Sequence, residues 1–240
     1  MNMNKLVPIF TSSNEKGLSM KQILLFAIWI LAAQLSAQVA DASFCQQELT
    51  DAIFARIKGK SYKEHCTIPC SDLRYLQVLH YNKEGEVLQG ELICHKTIAN
   101  DLLAIFRELY QAKYPIERMV LVDEYDADDE ASMRANNSSA FNFRYISGTK
   151  TLSRHSRGMA IDINPLYNPY VRHRGGRTLV EPTNAQPYVD RTKDFPYKIV
   201  KGDLCYRLFK KYGFTWGGDW KNSKDYQHFE KRSVTSATRM

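Results

Sequence analysis

The chain has 240 residues, 44% of them hydrophobic and 25% charged, with a formal net charge of +7. That composition excludes a disordered chain, a collagen-like chain and a coiled coil. A polytopic membrane protein is excluded as well, because the sequence holds one long apolar run. The run is Ile23–Ala33, led by Lys21 and followed by Gln34-Leu35-Ser36-Ala37. A short apolar stretch with a positive residue before it and small residues after it reads as a secretory signal peptide, not a spanning helix. Met20-Lys21 offers a natural start, so residues 1–19 are expected to be an over-called leader. Cleavage is expected after Ala37, with Ala42 the second choice, so residues 1–37 form the signal peptide. Its removal takes Lys5, Lys16 and Lys21 against Glu15, a net of two positive charges, and leaves +5. A mildly basic exported protein suits anionic surroundings such as a cell envelope or periplasm. No DNA-binding motif is present, so no nucleic-acid partner is expected, and no stable membrane span remains after processing.

All five cysteines lie beyond the expected cleavage sites. Export makes disulfides feasible, and the odd count leaves at least one thiol unpaired or intermolecular. Cys66 and Cys70 lack a second pair at zinc-ribbon spacing, so they read as structural or disulfide-forming.

Taken in chain order, residues 45–58 show helical periodicity with Leu49, Ile53 and Ile57 on one face. Leu73–His80 and Val87–Ile93 read as strands joined by the Asn82-Lys83-Glu84-Gly85 turn. Ile98–Ala112 is an amphipathic helix closed by Pro115. Met119–Val122 and Gly158–Ile163 are short apolar strands, and the acidic stretch between Asp123 and Glu130 reads as a solvated loop. Leu204–Tyr212 is a helix ending at Gly213. Phe214–Trp216 and His228–Phe229 look like short strands. The expected fold class is α+β: one domain over residues 45–232, with a small antiparallel sheet carrying the functional site and helices flanking it, and a tail at 233–240.

The chemistry concentrates in Ser153-Arg-His155-Ser-Arg-Gly158-Met-Ala160-Ile-Asp162. Gly158 and the apolar residues after it argue for a turn entering a strand. Asp162 lies between Ile161 and Ile163, so its carboxylate faces away from theirs. An acid in an apolar strand needs a partner, and a metal ion would be one. Trp216-Gly-Gly-Asp219-Trp220 and then Asp225-Tyr-Gln-His228 follow some sixty residues on. His228 would complete a His155/Asp162/His228 set, and three protein ligands with an open fourth position suit a catalytic zinc. Asp225, three residues before His228, sits where a general base belongs. Arg144, in Phe141-Asn-Phe-Arg144, offers a guanidinium for an oxyanion or a substrate carboxylate.

These motifs resemble the VanY/VanX-type zinc peptidases, which include D-alanyl-D-alanine carboxypeptidases and L-alanyl-D-glutamate endopeptidases. The metal-site fold is shared with the hedgehog signalling domain. The resemblance covers about residues 115–232 and is closest to the carboxypeptidase-like members. It implies one Zn2+ per chain on His155, Asp162 and His228, with Asp225 as base and Arg144 stabilising the transition state. It further implies that Ser153 orients substrate or the metal site and that Trp216 and Trp220 wall the cleft. The implied substrate is the stem peptide of peptidoglycan, cut at D-Ala-D-Ala or, in the alternative, at L-Ala-D-Glu or a cross-bridge. Arg144, Arg154 and Arg157 are all candidates for the cation that a carboxypeptidase needs for the terminal carboxylate. An iron oxygenase triad is disfavoured, because it usually spaces His and Asp one residue apart. A zinc-stabilised wall-binding module is the rival of another class. Asp225 argues against it, since a structural zinc is normally closed by four protein ligands.

Overall fold

The computed structural model describes residues 20–146 and 149–232. The expected leader at 1–19 and the tail at 233–240 lie outside the described residues. The chain divides near residue 40 into an N-terminal unit and a unit from Asp41 onward. Helix α1 (Met20–Ala42) covers the apolar run. Among the described residues, no helix is long and apolar enough to cross a membrane.

From residue 41 on, the protein is α+β, built on three small antiparallel sheets. The first holds β1 (Cys45–Gln47), β2 (Leu73–Tyr81) and β3 (Val87–His95) in the order β1-β2-β3. The expected hairpin is present, with Leu73 opposite His95 and Tyr81 opposite Val87. The helix expected from residue 45 begins later, as α2 (Asp51–Ile57). Thr50 caps it by accepting from the Ile53 amide, and the three residues Cys45–Gln47 pair with β2 instead. Alternation along β2 and β3 separates two cores. Leu76, Val78, Leu92 and Cys94 pack beneath α3 (Lys96–Gln111), whose Ile98, Leu102, Ile105, Phe106 and Leu109 are buried. Leu73, Tyr75 and Ile93 face the other way, toward α2, Phe141 and Phe143.

Residues 119–122 form no strand. Met119 accepts from the Glu91 amide at 2.9 Å, and a 3-10 turn, Val122–Tyr125, follows. The acidic stretch is more than a solvated loop. Asp123 is buried and accepts from both the amide and the hydroxyl of Ser61, each at 2.9 Å. Helix α4 (Asp129–Arg134) then begins under the Asp128 cap.

The second sheet has the order β4-β9-β7, from β4 (Ala160–Asp162), β7 (Thr215–Trp216) and β9 (His228–Glu230). Helix α5 (Leu204–Lys211) buries Cys205, Leu208 and Phe209, and the Phe209 ring stacks on Phe229 at 4.1 Å. The third sheet, β6-β5-β8, was not foreseen. It consists of β5 (Tyr170–Arg174), β6 (Arg177–Glu181) and β8 (Lys224–Asp225). All five cysteines are free thiols: Cys94 and Cys205 are buried, and Cys66 packs on the Phe141 core. Cys66, Cys94 and Cys205 serve as packing residues, whereas Cys45 is exposed.

Candidate metal centre

His155 opens a 3-10 turn, His155–Arg157. Ser153 holds that turn by accepting from the His155 amide at 3.2 Å. Gly158 ends it in the left-handed region at φ 63°. A Cβ there would lie 2.5 Å from the His95 nitrogen, and the Gly158 carbonyl accepts from that same amide at 2.9 Å. Glycine is therefore required twice over, for its φ and for the close approach that fastens the turn to the end of β3. The chain then enters β4. Asp162 pairs with His228 across the ladder, and its other backbone edge bonds to Ser139. Alternation puts Asp162 and His228 on one face and Ile161 and Phe229 on the core face.

The three side chains converge. His155 Nε2 is 3.1 Å from His228 Nδ1 and 3.2 Å from Asp162 Oδ2. His228 Nδ1 is 2.9 Å from Asp162 Oδ1. All three residues are buried. Among the described residues they form a group whose ligand atoms lie within 4.8 Å of one another. The outer nitrogens are tied off. His155 Nδ1 donates to the Ala140 carbonyl at 2.6 Å, which leaves its Nε2 lone pair facing inward. His228 Nε2 faces Glu230 Oε2 at 3.4 Å and turns Nδ1 inward. An outer partner on each histidine is the arrangement that fixes metal-binding imidazoles. The donor set of two nitrogens and one carboxylate fits zinc. Electrostatics agree. Burial works against charge on Asp162, yet His155 and His228 outweigh it and hold the carboxyl well below the usual range. Burial also works against protonation of His228, but Asp162 and Glu230 push it up to about 10. The pocket therefore draws positive charge toward Asp162.

Asp225 lies on β8, paired through its backbone with Tyr170 of β5. Burial pushes it up to about 7, against the pull of His228 and with the Asp162 charge adding. Its Oδ1 is buried and has no hydrogen-bond partner among the described residues. A buried carboxylate oxygen left bare beside a metal group calls for a partner delivered from outside the chain. Gly217 explains how Asp225 is placed. A Cβ on Gly217 would sit 2.5 Å from the Asp225 carbonyl and 2.6 Å from its Cβ. Gly218 makes similar room for the Trp216 ring, 2.4 Å from where its Cβ would be. The two glycines between the tryptophans thus serve packing.

The tryptophans separate. Trp220 stands beside His228, ring centroids 5.5 Å apart. Trp216 pairs with Phe229 across the ladder, stacks on it and donates from its indole N–H to the Tyr226 carbonyl at 2.8 Å. It is buried on the core face, so the expected cleft role is corrected for Trp216. Arg144 joins the site by its backbone, its amide donating to Ser156 Oγ at 2.8 Å and its carbonyl accepting from the Ser153 amide. Its guanidinium pairs with Asp129 at 2.5 Å, while Nε is buried without a partner among the described residues. Glu230 and Asp129 escaped the sequence reading. Glu230 carried a signal, since it lies two residues after His228 on the same strand face. Asp129 carried none, being distant in sequence from the residue it holds.

Fold and geometry together define a buried two-histidine, one-carboxylate centre able to hold a metal ion, with a further carboxylate beside it. A family model described as D-alanyl-D-alanine carboxypeptidase matches residues 147–231. The match supports the VanY-type zinc peptidase family. It spans His155, Asp162, Asp225 and His228, and leaves Arg144 outside. Comparison with curated proteins and with solved structures found no match.

Proposed function

We propose that the protein is an exported zinc carboxypeptidase that removes the terminal residue from D-Ala-D-Ala stem peptides of peptidoglycan. The observation that carries this reading is the convergence of His155 Nε2, Asp162 and His228 Nδ1 beside Asp225, whose Oδ1 has no partner among the described residues. These three residues would hold the ion. When bound, zinc supplies Lewis acidity, which activates water as a nucleophile and polarises a carbonyl. Asp225 Oδ1 takes the proton from the attacking water and returns it to the leaving amine. Asp129 fixes the Arg144 guanidinium through Nη2, and the guanidinium so held would stabilise a substrate oxygen on which charge develops. Trp220 walls the cleft next to His228. Ser153 holds the turn that aims His155. The lysine-led apolar run in α1 supports export.

The test is digestion of purified peptidoglycan with zinc-loaded protein, against chelated protein, with products read by mass. Chelator-sensitive loss of one terminal D-Ala is the expected result. Fragments cut inside the stem would replace the carboxypeptidase by an endopeptidase. No product at one bound zinc would favour the binding module.

A further inference from the structure

A cavity of about 460 Å³ opens behind the His155 turn. Arg154, Arg157, Lys231 and Arg232 bring four cations to its wall. Ile68, Leu152 and Met159 give it apolar surface, and no acid is among the described residues that line it. Two of the cations are already matched: Lys231 pairs with Asp101 at 2.7 Å and Arg154 with Glu230 at 3.7 Å. Arg157 has no acid partner within ion-pair distance among the described residues, and Arg232 makes no ion pair there but lies near enough to Glu230 for its charge to stabilise that carboxylate. Two guanidiniums beside an apolar surface suit a carboxylate on a short aliphatic stem.

The cavity adjoins the metal centre. Glu230, which pairs with Arg154, is also the outer partner of His228. Arg232 lies four residues beyond His228 on the chain that leaves β9, about 13 Å at strand rise. An extended peptide advances about 3.3–3.6 Å per residue, so about four residues bridge from centre to cavity. A carboxypeptidase substrate extends from the scissile bond toward its own N-terminus alone. We infer that this cavity is a subsite for an acidic residue of the peptide substrate, about four residues on the N-terminal side of the scissile bond. The inference rests on the carboxypeptidase reading and adds the residue that selects the stem.

The experiment uses two peptides ending in D-Ala-D-Ala, one with a carboxylate at that position and one with the amide. Wild-type protein is expected to show about tenfold higher kcat/KM on the acidic peptide, through KM. In the Arg157→Gln/Arg232→Gln variant that ratio falls toward one. An equal rate for both peptides in wild type, or a ratio the variant keeps, overturns the inference and leaves the peptidase standing. If neither peptide is cut, the carboxypeptidase reading fails, and calorimetric titration of the same two peptides decides the cavity alone. Preference for the acidic peptide, abolished by the variant, supports it; equal binding overturns it. Inorganic phosphate that binds through Arg157 and Arg232 where the acidic peptide does not also overturns it, and assigns the cavity to a free anion.

Discussion

The first sheet with α3 and the second sheet with the metal group are built by different means. Strands β2 and β3 are nine residues each, and α3 is sixteen. Their order follows from hydrophobic period, and each buried position repeats the information of its neighbours. Strands β4 and β9 are three residues each. The metal region is held by specific devices: Ser153 on the His155 amide, Gly158 against His95, Ser139 along Asp162, and Gly217 against Asp225 of β8. Damage to the first region should therefore appear as lost stability, and damage to the second as lost chemistry in a folded protein.

The largest effect expected from a change that touches no catalytic side chain is at Gly217. Gly217→Ala forces a methyl into the Asp225 backbone, and a displacement of this kind costs about 10²-fold in kcat. Zinc stoichiometry, read by atomic emission, should stay at wild-type level; its loss would show that Gly217 supports the whole sheet instead. Next comes the outer partner of His228. Glu230→Ala should weaken zinc binding about 10–100-fold in a competition titration, with Glu230→Gln recovering part of it. Unaltered affinity would remove Glu230 from the centre. The converse probe is Leu102→Ala in α3. It should cost about 2–5 kcal/mol in denaturant unfolding while zinc affinity holds. A parallel fall in zinc affinity would mean that the two regions are one cooperative unit.

The same contrast governs what could be read from residues alone. The β2–β3 hairpin and α3 were legible because long periodic segments average out local exceptions. Edge strand β1 was not, since three polar-flanked residues carry no period and Thr50 alone decides where α2 starts. The β5–β6 hairpin was masked by its charge. Arg172, His173, Arg174 and Arg177 are exposed on both arms, and such a charged run carries no hydrophobic alternation to mark a strand. The signal lay in Gly175-Gly176, whose φ values of 57° and 71° suit a tight hairpin turn. At the site, the His155, Asp162 and His228 set was legible because ligand chemistry restricts residue types. The two tryptophans could not be told apart, because their difference lies in strand facing. The acidic residues Asp123 and Asp129 read as solvated, since their partners Ser61 and Arg144 are remote in sequence.

The central claim is that one metal centre and one carboxylate share the work. Asp225→Asn separates them: zinc bound per chain and D-Ala released from a D-Ala-D-Ala peptide should be measured on wild type and variant together. One zinc in each, with release about 10²–10⁴-fold lower in the variant, is the predicted result. Undiminished release by the variant, or wild type that binds no zinc, would contradict it.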